Sequence, residues 1–417
     1  MSSFVIEGAK ELHGIIEVPG AKNAVTPILA ACLMTADECT IHNVPAISDV
    51  EKMLKLLGTV GAQVKHEGKT VIIKAENVNV SHLPISEVKG MRSSVLLFGP
   101  LLARIHSVTL PEPGGCIIGN RPLDTHLSGL QQLGVKVTIN NEGYLLQSEQ
   151  LKGAKVILSE FSVTATENIV MAATLATGVT IIELAAAEPH VQDLCNFLVD
   201  MGAKIKGIGT HTLTIEGVDY LHGAEYTIIP DPIEAGTWAV LAAVTRGEIT
   251  IKPVHPEHLD FVLMKLKQIG VDWQLNGDAL TVHASRQLKP FRLQALPYPG
   301  FPTDLQAPFC ILATQANGTS LIHDPMYEGR LNHISELIKM GANAVVADPH
   351  RVVVTGPTPL YGRDIRSYDL RSGATVLIAA LMAQGVSTIA EAEVVDRGYE
   401  KIERRLKALG AVINRQP

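Results

Sequence analysis

His333-Ile-Ser-Glu-Leu-Ile-Lys-Met-Gly-Ala-Asn-Ala, residues 333–344, carries apolar side chains three and four apart up to a glycine. This is the pattern of an amphipathic helix ended by a residue in the left-handed region. The same ending recurs as VGAQV at Val60, LGVKV at Leu133, MGAKI at Met201, IGVDW at Ile269 and LGAVI at Leu409. The glycines, Gly61, Gly134, Gly202, Gly270, Gly341 and Gly410, are separated by 73, 68, 68, 71 and 69 residues. So regular a spacing makes the chain six copies of one unit. Downstream of the glycines lie alternating segments joined by turns, such as 203–207 with 211–216, and 272–275 with 279–283 around Asn276-Gly277. These read as hairpins.

Each unit holds a second helical stretch, at 24–34, 93–103, 165–176, 236–245, 305–314 and 373–383. These are rich in Ala and apolar on every side, so they are expected inside a layer walled by sheets rather than at a solvated face. The sixth unit lacks the second strand of its hairpin, and Phe4-Val-Ile-Glu-Gly resembles the missing strand. The first residues are therefore expected to return to the C-terminal half. That gives one domain of 21–229 and a discontinuous one of 1–20 with 230–417.

With 417 residues, 46% hydrophobic and only 4% aromatic, the chain must fill its cores with aliphatic side chains, which favours α/β layers. A net charge of -7 argues against nucleic acid as a partner, while a local arginine cluster can still hold a small anion. The five cysteines are widely spaced with no C-x-x-C pair, so no metal or redox centre is expected and a reducing cytoplasm fits best. The longest apolar runs, 95–103 and 374–383, are about half a bilayer-spanning length. No signal peptide is visible, and no membrane association is expected.

Polar residues gather where the apolar helices begin: Lys22 and Asn23, Arg92 and Ser93, Ser162 and Thr164, Asp231 and Glu234, Asp304, then Asp369 and Arg371. Ser, Thr and Asp serve there as caps. Cations at a helix start oppose its dipole, so Lys22, Arg92 and Arg371 point to a bound anion as compensation. Cys116 lies in a loop with Gly114, Gly115 and Gly119 around it and Arg121 close behind. A thiol of ordinary pKa, about 8.5, is mostly protonated near neutrality and can donate a proton. Asp304, at the mouth of a buried helix, is a candidate general base. Arg330, Arg371 and Arg397 stand beside turns or helix starts, as guanidinium clamps for phosphate and carboxylate do.

These segments resemble the enolpyruvyl transferases nearly end to end, and in particular those whose acceptor is UDP-N-acetylglucosamine. The resemblance is carried by PGAKNA at Pro19, FGPLLAR at Phe98, PGGCIIGNRPLDTHLSGL at Pro113, PYPGFPTDLQ at Pro297, EGRLNHISELIKMGA at Glu328, DLRSGA at Asp369 and DRGYEKIE at Asp396. It implies two inside-out α/β barrel domains, each of three βαβαββ-like repeats, with the active site between them. It implies that Lys22, Asn23, Cys116, Arg121 and Arg397 face phosphoenolpyruvate. Arg92, Arg121, Pro122, Leu123, Asp124, Thr125, Ser162, Val163, Asp304 and Met326 would hold the UDP-sugar, and Arg330, Asp369 and Arg371 would complete the substrate site. Cys116 would protonate the methylene carbon, Asp304 would take the hydroxyl proton, and Lys22 and Arg397 would share the catalytic work, with no cofactor and no metal. Thr164 stands where the family pattern has glycine, Pro232 where it has arginine and Val394 where it has histidine. Two alternatives stay open: transfer to a different nucleotide or nucleotide sugar, and a non-catalytic binding homologue.

Overall fold

A computed structural model describes residues 2–79, 85–114, 119, 122–141, 143–285 and 287–417. The chain forms two compact units, one built on residues 2–19 and 230–417, the other on residues 20–114 and 122–229. Each has its own apolar core. Among the described residues no helix is long and apolar enough to cross a membrane.

All six repeat glycines adopt positive φ, from +91° at Gly134 to +110° at Gly341, the region in which a side chain would be strained. Each therefore ends its helix and turns the chain into a hairpin strand. Lys204–Lys206 pairs antiparallel with Thr212–Glu216, and Trp273–Asn276 with Ala279–Val282, where the sequence places hairpins.

Each unit carries three small sheets, and five of the six share one order. A strand pairs in parallel with a central strand, which is followed by two antiparallel ones. In the discontinuous unit, His13–Glu17 runs parallel to Glu248–Lys252. In the last sheet of that unit, Ser3–Glu7 lies antiparallel between Val386–Ala390 and Val412–Gln416, with Phe4 opposite Ile389 and Arg415. The N-terminal strand thus takes the place of the hairpin strand absent from the sixth repeat. Strands such as Thr70–Lys74 and Glu248–Lys252 alternate buried and more accessible residues, one face toward the core and one toward water. The sixth sheet has three described strands, Ser107–Leu110, Lys136–Asn140 and Gly143–Gln147.

The helices inside this wall are Lys22–Ala31, Phe98–Ile105, Val163–Thr174, Pro232–Thr245, Gln306–Gln315 and Leu370–Met382. Pro232–Thr245 is buried from Glu234 through Thr245, and Leu370–Met382 from Leu370 through Leu381. In their unit, Pro232–Thr245, Gln306–Gln315 and Leu370–Met382 pack on one another. This is the inside-out arrangement, with helices at the centre and sheets around them.

The expected helix over 93–103 is instead a 3-10 segment, Arg92–Leu97, followed by the α-helix Phe98–Ile105. Two interactions account for the difference. Ser94 Oγ donates back to the carbonyls of Met91 and Val88, at 2.7 and 3.0 Å, tightening the first turns. Asn168, from the neighbouring buried helix, takes both ends of what would be one helical hydrogen bond. Its Oδ1 accepts from Gly99 N–H at 2.7 Å, and its Nδ2 donates to Val95 O at 3.0 Å. A side chain inserted in this way breaks the ladder without leaving its groups unpaired.

His333 opens the amphipathic helix His333–Lys339 and is fully buried. Burial pulls its imidazole down to about 4, so the ring is neutral in the fold. An unfolded histidine titrates near 6.5, so the stabilisation is present above that pH and is lost as pH falls toward 4. Urea unfolding at about pH 7 and about pH 4.5 should show His333→Leu losing about 2 kcal/mol less stability than the unaltered chain over that interval. Equal losses would contradict the assignment.

Candidate functional site

At the start of a helix buried on all sides the first four backbone N–H groups lack helical partners, so polar side chains there have donors to satisfy. In the unit built on 230–417, Asp231 and Asp369 meet that need. Asp231 Oδ1 accepts from the N–H groups of Ile233 and Glu234, at 2.8 and 3.1 Å. Asp369 Oδ1 accepts from those of Arg371 and Ser372, at 2.9 and 3.1 Å. Asp369 is thus placed as a cap, and it fixes the backbone that carries Arg371.

Arg371 is 5% exposed and Arg330 9%, and both converge on Asp304. Arg330 Nη2 donates to Asp304 Oδ1 at 2.7 Å, while Arg371 reaches Oδ2 through Nε at 2.9 Å and Nη2 at 2.8 Å. The anion that compensates the cation at this helix start is therefore present within the chain, on the 3-10 turn Thr303–Leu305. Burial raises the Asp304 pKa, but Arg371 and Arg330 outweigh it and hold the carboxyl well below the usual carboxylate range. Both guanidiniums are raised against their own burial by Asp304. Asp369 and Asp324 also act on Arg330, and Asp231 on Arg371. Arg330 Nε and Arg371 Nη1 have no hydrogen-bond partner among the described residues.

The other expected residues of this unit lie around that cluster. Met326 N–H donates to Asp324 Oδ1 at 2.9 Å, four residues before Arg330. Arg397 ends the 3-10 segment Ala392–Arg397 and is half-buried. Two residues on, the buried Tyr399 has its ring centre 6.0 Å from Arg371 Cζ, and its hydroxyl lies 3.1 Å from Thr237 Oγ1. Val394 is in the same segment as Arg397, and Pro232 is the first residue of its helix, after the Asp231 cap.

In the other unit, Lys22 and Asn23 form the first turn of their helix, and Lys22 Nζ pairs with Asp49 Oδ2 at 3.2 Å. Asp49 has a side chain only 2% exposed. Arg92 begins the 3-10 segment that Asn168 interrupts. Pro122 is exposed, Leu123 is buried, and Asp124 and Thr125 open the helix Asp124–Gln132. Thr125 Oγ1 lies 2.8 Å from Ser159 Oγ and donates to Glu160 Oε1 at 3.2 Å. Ser162 caps Val163–Thr174 by accepting from Ala165 N–H.

A relay joins these three segments. Asn168 Oδ1 accepts from Gly99, so its amide donates to Val95 O and to His126 Nδ1, the latter at 3.0 Å. His126 then carries its proton on Nε2 and donates it to Thr164 Oγ1 at 3.1 Å. Thr164, the departure from glycine, is therefore engaged inside its own unit. The segments that begin at Arg92, Asp124 and Ser162 are held in one register. Cys116 and Arg121 lie outside the described residues. Cys32, Cys39, Cys195 and Cys310 are buried free thiols, and burial, with Glu167 nearby, pushes Cys195 up to about 12.

Asp49, His126, Asn168, Asp324 and Tyr399 were not among the expected site residues. In sequence, Asp49 reads as an acid favoured by a helix dipole, and Asp324 follows a strand with no motif around it. Apart from Met326, two residues after Asp324, the partners that matter are far away along the chain, so spacing carries little signal for them.

Removing the shared carboxylate leaves two buried guanidiniums facing each other. Asp304→Ala should lose about 3 kcal/mol of stability at low ionic strength. Inorganic phosphate should restore more of that loss in the variant than it adds to the unaltered chain, by binding between the arginines. A thermal shift by phosphate no larger in the variant would show that the arginines form no anion site.

A family profile described as EPSP synthase (3-phosphoshikimate 1-carboxyvinyltransferase) matches residues 6–406. The UDP-N-acetylglucosamine 1-carboxyvinyltransferase of Methylacidiphilum infernorum is 44% identical, covering 100% of this chain and 99% of its own. The protein named UDP-N-acetylglucosamine 1-carboxyvinyltransferase 1 from Caldanaerobacter subterraneus is also 44% identical, over 100% of both chains. Among solved structures, the enolpyruvyl transferase NikO from Streptomyces tendae superposes with a TM-score of 0.90 at 25% identity, covering 100% of this chain and 99% of that one. An EPSP synthase from Acinetobacter baumannii, at 20% identity and a TM-score of 0.78, shares the fold.

Proposed function

The chain belongs to the carboxyvinyltransferase family of EPSP synthase, and from that premise we propose that it transfers the enolpyruvyl group of phosphoenolpyruvate to the 3-hydroxyl of UDP-N-acetylglucosamine. Phosphate is released, and the product enters peptidoglycan synthesis. Both substrates are phosphorylated metabolites, which places the reaction in the cytoplasm. The observation that carries the reading is the buried carboxylate shared by two arginines. It supplies a base for an attacking hydroxyl and donors for an anionic acid within one cluster.

In the first step the sugar oxygen bonds to C2 of phosphoenolpyruvate while the Cys116 thiol gives its proton to C3, which becomes a methyl group. Asp304 receives the hydroxyl proton. The tetrahedral ketal then loses phosphate from C2 while the Cys116 thiolate takes a proton from the methyl group, which restores the thiol and leaves the enolpyruvyl ether, and the Asp304 proton leaves with the phosphate. Lys22, Arg121 and Arg397 hold phosphoenolpyruvate, and Arg330 and Arg371 supply donors for its developing charge. Asn23 shares that side. Arg92, Pro122 to Thr125, Ser162, Val163 and Met326 hold the nucleotide sugar, and Asp369 keeps Arg371 in place. As paired in the free chain, Asp304 is a poor base. An arriving carboxylate or phosphate competes for Arg330 and Arg371 and raises its proton affinity. Phosphoenolpyruvate thereby makes the base competent. Thr164 leaves a different nucleotide sugar as the second reading, although its hydroxyl is already taken up by His126.

Steady-state phosphate release should be seen with phosphoenolpyruvate and UDP-N-acetylglucosamine, and more weakly with other UDP-sugars. No turnover with UDP-N-acetylglucosamine would end the leading assignment. The pH profile tests the role of Asp304. Loss of one opposite charge raises a carboxyl pKa, so Arg330→Gln should move the acidic limb of kcat, which reports the substrate-bound enzyme, upward by about one pH unit. An unmoved limb would mean that another group sets it.

A further inference from the structure

Asp324 follows the strand Gly318–His323 directly and is completely buried, yet the reaction as written gives it no task. All of its polar groups are engaged. Its main-chain N–H donates to His350 O at 2.8 Å, and its carbonyl accepts from His350 Nδ1 at 2.7 Å. Of its carboxylate oxygens, Oδ1 accepts from Met326 N–H at 2.9 Å and Oδ2 accepts from Thr303 Oγ1 at 2.5 Å. The first bond shapes the turn that leads through Met326 to Arg330. The second reaches back 21 residues to the 3-10 turn that carries Asp304.

We propose that Asp324 is a positioning residue for the transfer reaction, its carboxylate tying the base-bearing turn at Thr303 to the acceptor-side turn at Met326. The proposal rests on the roles given above to Asp304 and Met326. The Arg330–Asp304 pair also joins the two turns, and substrate anions disrupt it. Asp324 supplies a link that does not depend on those arginines, so the base keeps its place when its ion pairs exchange. A buried carboxylate needs such partners: burial raises the Asp324 pKa, while the Thr303 hydroxyl and Met326 N–H act to lower it. Displacement of a reacting group by about 1 Å can cost roughly a hundredfold in rate, so a second tie on this turn matters for turnover more than for binding.

The test uses Thr303→Val, which keeps the side chain's volume and deletes the hydroxyl, with Thr303→Ser as the conservative variant and Thr303→Ala as a second deletion. All are made in the full chain. Thr303→Val and Thr303→Ala should lower kcat roughly ten- to a hundredfold. KM for phosphoenolpyruvate should move less than about twofold, and Thr303→Ser should restore most of the rate. A crystal structure of Thr303→Val should show the Asp304 carboxylate displaced relative to the Met326 turn. Unchanged kcat in both deletions, failure of serine to rescue, or an undisplaced Asp304 would overturn the proposal. If the unaltered chain itself gives no turnover with UDP-N-acetylglucosamine, the functional reading fails, and the position of Asp304 in the variant structure still decides the tie.

Discussion

A helix packed among apolar side chains on every face can keep a polar group along its length only where another buried group meets it, as Asn168 is met by Gly99, Val95 and His126, and its first turn has unpaired N–H groups to satisfy. Each repeat of this fold contains such a helix. The consequence is a concentration of polar chemistry at the helix starts: Lys22 and Asn23, Arg92, Ser162, Asp231, Asp304 just before Gln306–Gln315, and Asp369 with Arg371. Elsewhere the same helices are mostly aliphatic, and buried polar residues such as Asn168 and Thr237 are hydrogen-bonded inside the core. The constraint that makes each core stable also sets polar side chains at the helix starts of its own unit.

Charges placed there are costly to bury, and the structure offsets that cost locally. Asp304 meets Arg371 through two nitrogens and Arg330 through Nη2, Asp49 meets Lys22, and Asn168 satisfies both groups of an interrupted helical bond. The Asp304 cluster is not a closed one-to-one pair. Two guanidiniums share one carboxylate, leaving Arg330 Nε and Arg371 Nη1 without protein partners among the described residues. A cluster with open guanidinium donors is suited to exchange its internal anion for an external one. Binding and activation of the base then become the same event.

The repeat glycines, the hairpins after them and the role of Phe4 and its neighbours were legible in the sequence because each rests on local chemistry. A left-handed glycine, a period of two and an unpaired hairpin strand all leave marks within a few residues. The split of 93–103 into a 3-10 segment and a short helix was not legible, because it is imposed by Asn168 from another helix. The partners of the charged groups were hidden for the same reason. Arg371 was read as awaiting a bound anion, and it finds Asp304 instead, 67 residues away. Sequence marks which residues have unmet electrostatic needs, and only the packing shows which of those needs the chain meets for itself.

The account turns on protonation at C3 of phosphoenolpyruvate coupled to attack by a sugar hydroxyl, with elimination restoring the double bond. The most direct measurement is to run the reaction in deuterium oxide with UDP-N-acetylglucosamine and to examine the product by mass spectrometry and proton NMR. The account predicts a vinyl ether on the 3-oxygen of the sugar, carrying deuterium in its methylene group, with one phosphate released per ether formed. Phosphate release without a vinyl ether, or an ether whose methylene never acquires deuterium, would contradict it.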